Sequence, residues 1–371
     1  MADLFGTYSK RIKLTISNTN IDAELTWFPL TVFLTSAQGE EVFAEFDADA
    51  DFDRCAFTTS DESTQVYADC ELFDDSASKA IYHVSKTGWT ISNTGTTDFY
   101  MYYDNTAGHN TTYISKSGGT AAQSVWNGNF KAVYHMNDGA STSAIYDSTS
   151  NNNDGTKKAA NEPVEAEGKV GQGQNFDGSD DYISISNDTS IDFADEDFTI
   201  NLIVKAAEAD LNNSRMLCKG LSGGVGKRYE LCISKNDDRI VFTIDDNTTK
   251  SFVEYNDLTN WAEGNYHMLT FIRDTTNNLL KVYLDGIFEV SNTDSTGSIE
   301  NINDLQLGRH DPSEVVDYYD GIIDETSISG AACSAAWLKA TYNSLWDTLL
   351  TYGSEETGGV TYNSIMFGAN F

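Results

Sequence analysis

The chain has 371 residues, with 23 Lys and Arg against 57 Asp and Glu, and a formal net charge of -34 at pH 7. A surface this anionic repels phosphate, which excludes nucleic acid and anionic lipid as partners held by long-range attraction, and at about 100 to 200 residues per domain the length implies two or three domains. Hydrophobic residues at 40% and aromatic residues at 12% are enough for packed cores and too many for a disordered acidic tail.

The opening Met1-Ala2-Asp3-Leu4-Phe5-Gly6 lacks a basic region followed by an apolar run, so no secretory signal is expected, and no later stretch approaches a membrane span. Strand signals begin at residues 11–16, where Ile12, Leu14 and Ile16 fall on alternate positions, and resume at 30–34 after Pro29. Asp47, Asp49, Asp51 and Asp53 alternate as EF-hand ligands do. Phe52, however, occupies the place of the required Gly and Thr58 that of the bidentate Glu, so the run reads as a solvated acidic loop. Glu45-Phe46-Asp47-Ala48-Asp49 is the nearest approach to the carboxylate pair of a glycoside hydrolase, with Asp in place of the last Glu. Cys55, Cys70, Cys218, Cys232 and Cys333 are an odd set without a CxxC pair, which argues for free thiols in a reducing compartment and against a disulfide framework or a zinc site. His83, His109, His135, His267 and His310 form no close ligand pair.

Acidic and amide residues gather again between Asp147 and Asp154, and a second, weaker cluster is Asp177, Asp180 and Asp181. Gly171-Gln172-Gly173 lacks the third glycine of a dinucleotide site. Gly220-Leu221-Ser222-Gly223-Gly224 matches a nucleophile elbow in letters, but a strand rather than a helix follows it. Hairpins are clear from there on. Tyr229, Leu231 and Ile233 share one face and Ile240, Phe242 and Ile244 return. Residues 267–271 turn back through 282–284, and Asp285-Gly286 is a tight-turn signal before 287–290. Tyr255, Trp261, Arg309, Tyr318 and Tyr319 lie in or beside predicted loops, where aromatic faces can stack on sugar rings; the competing reading is that each seals the rim of a sandwich. Ser334 caps a predicted helix carrying Leu338, Tyr342, Leu345 and Leu349 at helical spacing, and a Gly-, Ser- and Thr-rich tail follows. That tail is expected to dock on the chain's own domains or on a neighbouring subunit.

Two stretches carry a resemblance to known families. Residues 11–20, 25–30, 51–58 (Asp-Phe-Asp-Arg-Cys-Ala-Phe-Thr) and 99–105 (Phe-Tyr-Met-Tyr-Tyr-Asp-Asn) resemble the DUF2341 family. From Val125-Trp126 through Asp147-Ser148-Thr149-Ser150-Asn151-Asn152-Asn153-Asp154-Gly155, Phe176-Asp177-Gly178-Ser179-Asp180-Asp181-Tyr182-Ile183, Phe198-Thr199-Ile200 and Gly321-Ile322-Ile323-Asp324-Glu325 to Trp337, the chain is similar to concanavalin A-like, laminin-G-type jelly rolls. One departure is Ile203, where the family commonly places Trp, and its expected cost is an aromatic core anchor.

The resemblance implies an all-β chain of two β-sandwich modules, the second a jelly roll, with one short C-terminal helix and tail. The expected boundaries are 1–124, 125–343 and 344–371. It also implies a structural Ca2+ held by Asp147, Asn152, Asp154 and Asp324; the competing reading gives Asp147 and Asn152 to Asx turns and Asp324 to a strand end. The function it implies is non-catalytic recognition or adhesion. Because no signal or anchor was found, we expect an exterior virion protein of a phage or archaeal virus, a decoration, fibre or tail-attached subunit that displays a lectin-like domain. Its partners would be a host-surface glycan and other virion or surface proteins, in a homo-oligomer without nucleic acid or membrane insertion. The alternatives are a prokaryotic cell-surface or extracellular carbohydrate-binding module and, third, a glycoside hydrolase.

Overall fold

Alternation of period two builds both halves of the molecule. The computed structural model describes residues 4–138, 141–207, 214–221, 226–234, 237, 239–257, 264–310 and 317–358. In the first module eight strands form one sheet: Lys10–Ile16, Leu30–Thr35, Cys55–Thr59, Gln65–Asp74, Lys79–Ser85, Thr97–Tyr103, Ile114–Lys116 and, from the far end of the sequence, Leu350–Thr357. The sheet folds over on itself, because Ile12, Leu14 and Ile16 near one edge share a core with Leu30, Val32 and Leu34 at the other. The bend is carried by the long strand Gln65–Asp74, which pairs with Cys55–Thr59 at its start and with Lys79–Ser85 beyond, through a register shift between Cys70 and Leu72.

The second module is a jelly roll of two eight-stranded sheets. One contains Phe130–Tyr134, Phe198–Ala206, His267–Asp274 and Asp320–Ser329, and the other contains Ser214–Gly220, Lys227–Ser234 and Arg239–Asp246. Their inner faces enclose one apolar core built around Phe198, Tyr229, Phe242 and Phe271. The predicted hairpin forms, with Tyr229 facing Ile244, Leu231 facing Phe242, and Ile233 facing Ile240. Leu284 faces Ile287 across a two-residue turn in which Asp285 and Gly286 both take positive φ, 51° and 77°, as the twist of a tight hairpin demands. Glycine is needed at 286 for a second reason, since a Cβ there would come within about 3 Å of the helix residues Leu338, Lys339 and Tyr342.

That helix, Ala335–Leu345, starts as expected, with the Ser334 side chain accepting from the Trp337 N–H at 3.2 Å. It ends before Leu349, which is buried in the core of the first module instead. The expected docking tail is, over Leu350–Thr357, an edge strand antiparallel to Lys10–Ile16, with Lys10 near Glu355 and Arg11 paired to Glu356. The rest of the tail, 359–371, lies outside the described residues. Ile203 also needs correction. Ile200, Leu202 and Val204 point into the jelly-roll core, while Ile203 points the other way and packs with Ile81, Val170 and Met268 between the modules. Its position is part of the joint, and no core anchor is lost there.

Candidate functional site

The joint brings together buried ionisable groups from both modules. Alternation along the first module sends Val66, Ala68 and Cys70 into that module's own core, and Asp69 and Glu71, of opposite parity, toward the jelly roll. In the neighbouring strand Ala80, Tyr82 and Val84 face the core, and His83 stands directly across from Asp69. The jelly roll contributes His135, just beyond the strand Phe130–Tyr134, and Asp324 and Glu325 from Asp320–Ser329. All six side chains are buried.

Their contacts form a continuous network across the joint. His135 lies between two carboxylates, with Nε2 3.0 Å from Asp69 Oδ2 and Nδ1 2.7 Å from Glu325 Oε1. His83 Nε2 is 2.9 Å from Glu71 Oε2, and its Nδ1 is 3.3 Å from Thr31 Oγ1. The two imidazole rings stack at 4.4 Å. Trp126 Nε1 and Ser117 Oγ donate to Asp69, and Asn137 Nδ2 donates to the Glu71 carbonyl. Among the described residues, Glu71 Oε1 is buried without a hydrogen-bond partner. Gly171, at φ 58°, leaves the room it occupies, since a Cβ there would overlap that oxygen.

Burial opposes charge on every one of these groups, and neighbours decide which stay ionised. Burial works against a charged His135, but Glu325 and Asp69 outweigh it and hold its pKa well above the ordinary value. Burial would raise Asp69, yet the charge on His135 brings it below the usual carboxylate range. Burial and then the charge on His135 push His83 down to about 4. Burial raises Glu71 to about 7, against the pull of His135. Burial, with Glu325 and Glu71, also raises Asp324, while the backbone N–H groups of Val170 and Glu325 pull it the other way. The joint thus holds more carboxylates than imidazoles, in a place without bulk water.

The expected calcium ligands do not assemble. Asp147 has both oxygens occupied by its own loop and the strand Phe130–Tyr134, accepting from the N–H groups of Val133, Thr149 and Asn153 and from Thr149 Oγ1. Asp154 Oδ1 accepts from the Asp147 N–H, and Asn152 bonds to Ser150 and Gln123. Asp324 accepts from the N–H groups of Lys169, Val170 and Glu325. Among the described residues, Asp147, Asp154 and Asp324 form no group within ligand-sharing distance. The structure therefore favours the turn-forming reading of these residues, and they do not fit a common calcium cage. The cluster read as weaker, Asp177, Asp180 and Asp181, is the one whose oxygens converge, within 4.8 Å of one another.

Of the residues proposed for sugar stacking, Tyr319 is fully buried against Phe176 in the jelly-roll core and offers no face to solvent. Its neighbour Tyr318 is half-buried, as is Tyr255, which packs on the core rim. Trp261 lies outside the described residues. The guanidinium of Arg309 sits 3.4 Å over the ring centre of Tyr182, with Nε donating to Gln306. Tyr182 immediately follows the converging acidic cluster, and Asp180 of that cluster pairs with Lys158. Ser222 of the Gly-x-Ser-x-Gly run is likewise outside the described residues. Glu45 ends the short helix Glu40–Glu45 and Asp49 opens a 3-10 turn, so that acidic run is not on a strand.

Sequence reasoning missed the joint. It read the five histidines as unrelated, and the fold brings His83 and His135 into ring contact. The available signal was local and incomplete: Asp69 and Glu71, two residues apart inside a strand, share one face, and alternation alone does not tell a covered acidic face from a wet one.

Residues 177–339 match the family model described as the concanavalin A-like lectin/glucanases superfamily (Laminin_G_3). No curated protein matches the chain. Similar solved structures include the binding domain of Paraclostridial Mosquitocidal Protein 1, at 13% identity and TM-score 0.48 over 58% of this chain and 52% of that one. The botulinum neurotoxin serotype G binding domain is similar at 15% identity and TM-score 0.46, over 58% and 50% of the two chains. The serotype D ligand-binding domain, solved in complex with N-acetylneuraminic acid, is similar at 11% identity and TM-score 0.46, over 60% and 52%. The chain spans about half the length of these structures.

Proposed function

We propose that this is a non-catalytic glycan-binding protein whose jelly-roll rim meets the sugar and whose first module stiffens and presents it. The observation that carries the reading is the cover over the acids. The family described for residues 177–339 includes both lectins and glucanases, and a glucanase needs two carboxylates flanking an open cleft. Here Glu325 and the acids of the first module face one another under a lid formed by that module. The space beside His83 and Glu325 is a cavity of about 40 Å³, room for roughly two or three waters and too small for a sugar ring.

The rim is accessible, and there Tyr182 and Arg309 form a half-exposed stacked pair next to Asp180 and Lys158. A planar cation over an aromatic ring, with acids and amides beside it, suits the ring faces and hydroxyls of a glycan. Screening of the whole protein on immobilised glycans tests this. Binding that falls at least about tenfold in Tyr182→Ala, a loss of about 1.4 kcal/mol, supports the rim; binding unchanged in Tyr182→Ala and Arg309→Ala moves the site elsewhere. A calcium requirement is the part of the proposal that the ligand geometry weakens. Melting in chelator, with calcium then restored, decides it, and an unchanged midpoint removes calcium from the reading.

The finer assignment is an exterior virion subunit of a phage or archaeal virus, with a cell-surface carbohydrate-binding module as the alternative. The DUF2341-like first module and the locked pair of β-modules support a presenting role in either setting. Antibody labelling of intact particles distinguishes them: label on the particle exterior favours the virion, and label confined to cell envelopes favours the surface module.

A further inference from the structure

We propose that Glu71, His83, His135 and Glu325 form a closed site for one divalent transition metal of zinc's class, which clasps the two modules together. Four donor atoms, one from each residue, lie within 4.8 Å of one another in a buried setting. Two imidazole nitrogens and two carboxylate oxygens make the donor count of a closed, structural zinc site. The nitrogens also select the ion: calcium and magnesium take oxygen ligands in larger shells, whereas imidazole suits zinc and its first-row neighbours.

Three further observations point to a ligand here. Each histidine has its second ring nitrogen engaged away from the centre, His135 Nε2 with Asp69 at 3.0 Å and His83 Nδ1 with Thr31 at 3.3 Å. That outer support fixes ring orientation at metal centres and makes the inner nitrogen a better donor. Glu71 Oε1 is buried with no hydrogen-bond partner among the described residues, while Oε2 of the same carboxylate faces both imidazoles at 2.9 and 3.8 Å; a cation held by that carboxylate would relieve the desolvation cost. Finally, among the described residues the cationic side chains within 4 Å of Asp69, Glu71 and Glu325 are the two imidazoles, and a divalent cation would balance two of those acids directly. Glu71 and His83 belong to the first module, His135 and Glu325 to the jelly roll. Binding the ion and docking the modules would then be one event, and metal affinity would appear as stability.

The test uses the full chain, produced with zinc present and dialysed exhaustively into metal-free buffer, with bound metal measured by elemental mass spectrometry. The expected result is about one zinc per chain, with a melting midpoint that falls on stripping and returns on zinc add-back. A cobalt-substituted sample should show the visible absorption of a tetrahedral nitrogen and oxygen site. Glu71→Gln and His83→Gln keep hydrogen-bonding side chains in place, and each should abolish both the stoichiometric metal and the zinc-dependent shift in midpoint. If either variant fails to fold, the unmodified protein still decides the matter through its own metal count and cobalt spectrum. Unmodified protein that retains no zinc overturns the proposal. So does zinc retained equally by folded Glu71→Gln and His83→Gln, which would place the ion elsewhere.

Discussion

The central strands of the sheet containing Asp320–Ser329 are buried on both faces, and the two faces are built on opposite principles. Toward the second sheet of the jelly roll, Phe198, Ile200, Leu202, Val204, Ile323 and Ile328 meet other apolar side chains. Toward the first module, the same strands present Asn201, Ile203, Asp324 and Glu325 to Thr31, Asp69, Glu71 and His83. An apolar face tolerates many partners of similar volume, whereas a buried polar face is satisfied only by groups of the right charge at the right spacing. The inner face therefore holds the jelly roll together, and the outer face determines which module may cover it and at what register.

The largest expected effects strike these two faces with similar size and different chemistry. Phe198→Ala removes a fully buried ring stacked on Phe193 at 4.5 Å and should cost about 3 to 5 kcal/mol in denaturant unfolding. His135→Ala leaves Asp69 and Glu325 buried without their shared partner and should also cost about 3 to 5 kcal/mol. Only the second loss should be partly recovered by adding Glu325→Gln, because that removes an orphaned charge; a double-mutant cycle without such recovery would mean the polar face is held by packing alone.

A third carboxylate, away from both faces, sharpens the contrast. Burial works against ionised Glu230, but His310, Arg215 and Arg228 outweigh it and bring its pKa to about 2 from 4.5. A depressed carboxylate stabilises the fold above its unfolded pKa, so up to about 3 kcal/mol should be lost as pH falls from about 4.5 toward 2. Unfolding titrations of Glu230→Gln should lack that component. Ile203→Trp installs the residue common at this position in similar jelly rolls. Because Ile203 packs between the modules, the larger ring should cost about 1 to 3 kcal/mol by overfilling the joint; a stabilised variant would return the position to the core. Smallest is Ser334→Ala, which removes the helix cap and should lower stability by about 1 kcal/mol in thermal melts.

What could be read from the sequence follows the same division. Hairpins such as 229–244 and the turn at Asp285-Gly286 were legible because alternation and positive-φ residues are local properties. The joint was not, since Asp69 and Glu71 look like the wet face of a strand until another module is laid over them, and His135 is brought to them only by the tertiary fold. Tyr319 shows a milder case. Its ring packs on Phe176 in the jelly-roll core while the neighbouring Tyr318 is half-buried, a split between neighbours that composition does not reveal. The residues expected to hold calcium carry a related ambiguity: Asp147 accepts hydrogen bonds that shape its own loop, a role that composition cannot distinguish from metal binding.

The strand Leu350–Thr357 has a consequence for how the molecule comes into being. It completes the first module only after the whole jelly roll has been made, since a ribosome delivers the chain from its N-terminus at roughly 5 to 20 residues per second. For much of synthesis, Lys10–Ile16 is then a bare sheet edge, the kind of surface on which nascent chains aggregate. Lys10, Arg11 and Lys13 lie along that strand. They discourage edge-to-edge pairing between copies while it waits, and Lys10 and Arg11 then find Glu355 and Glu356 when the correct partner arrives. The same charges that protect the unfinished protein thus help the strand Leu350–Thr357 to recognise its place.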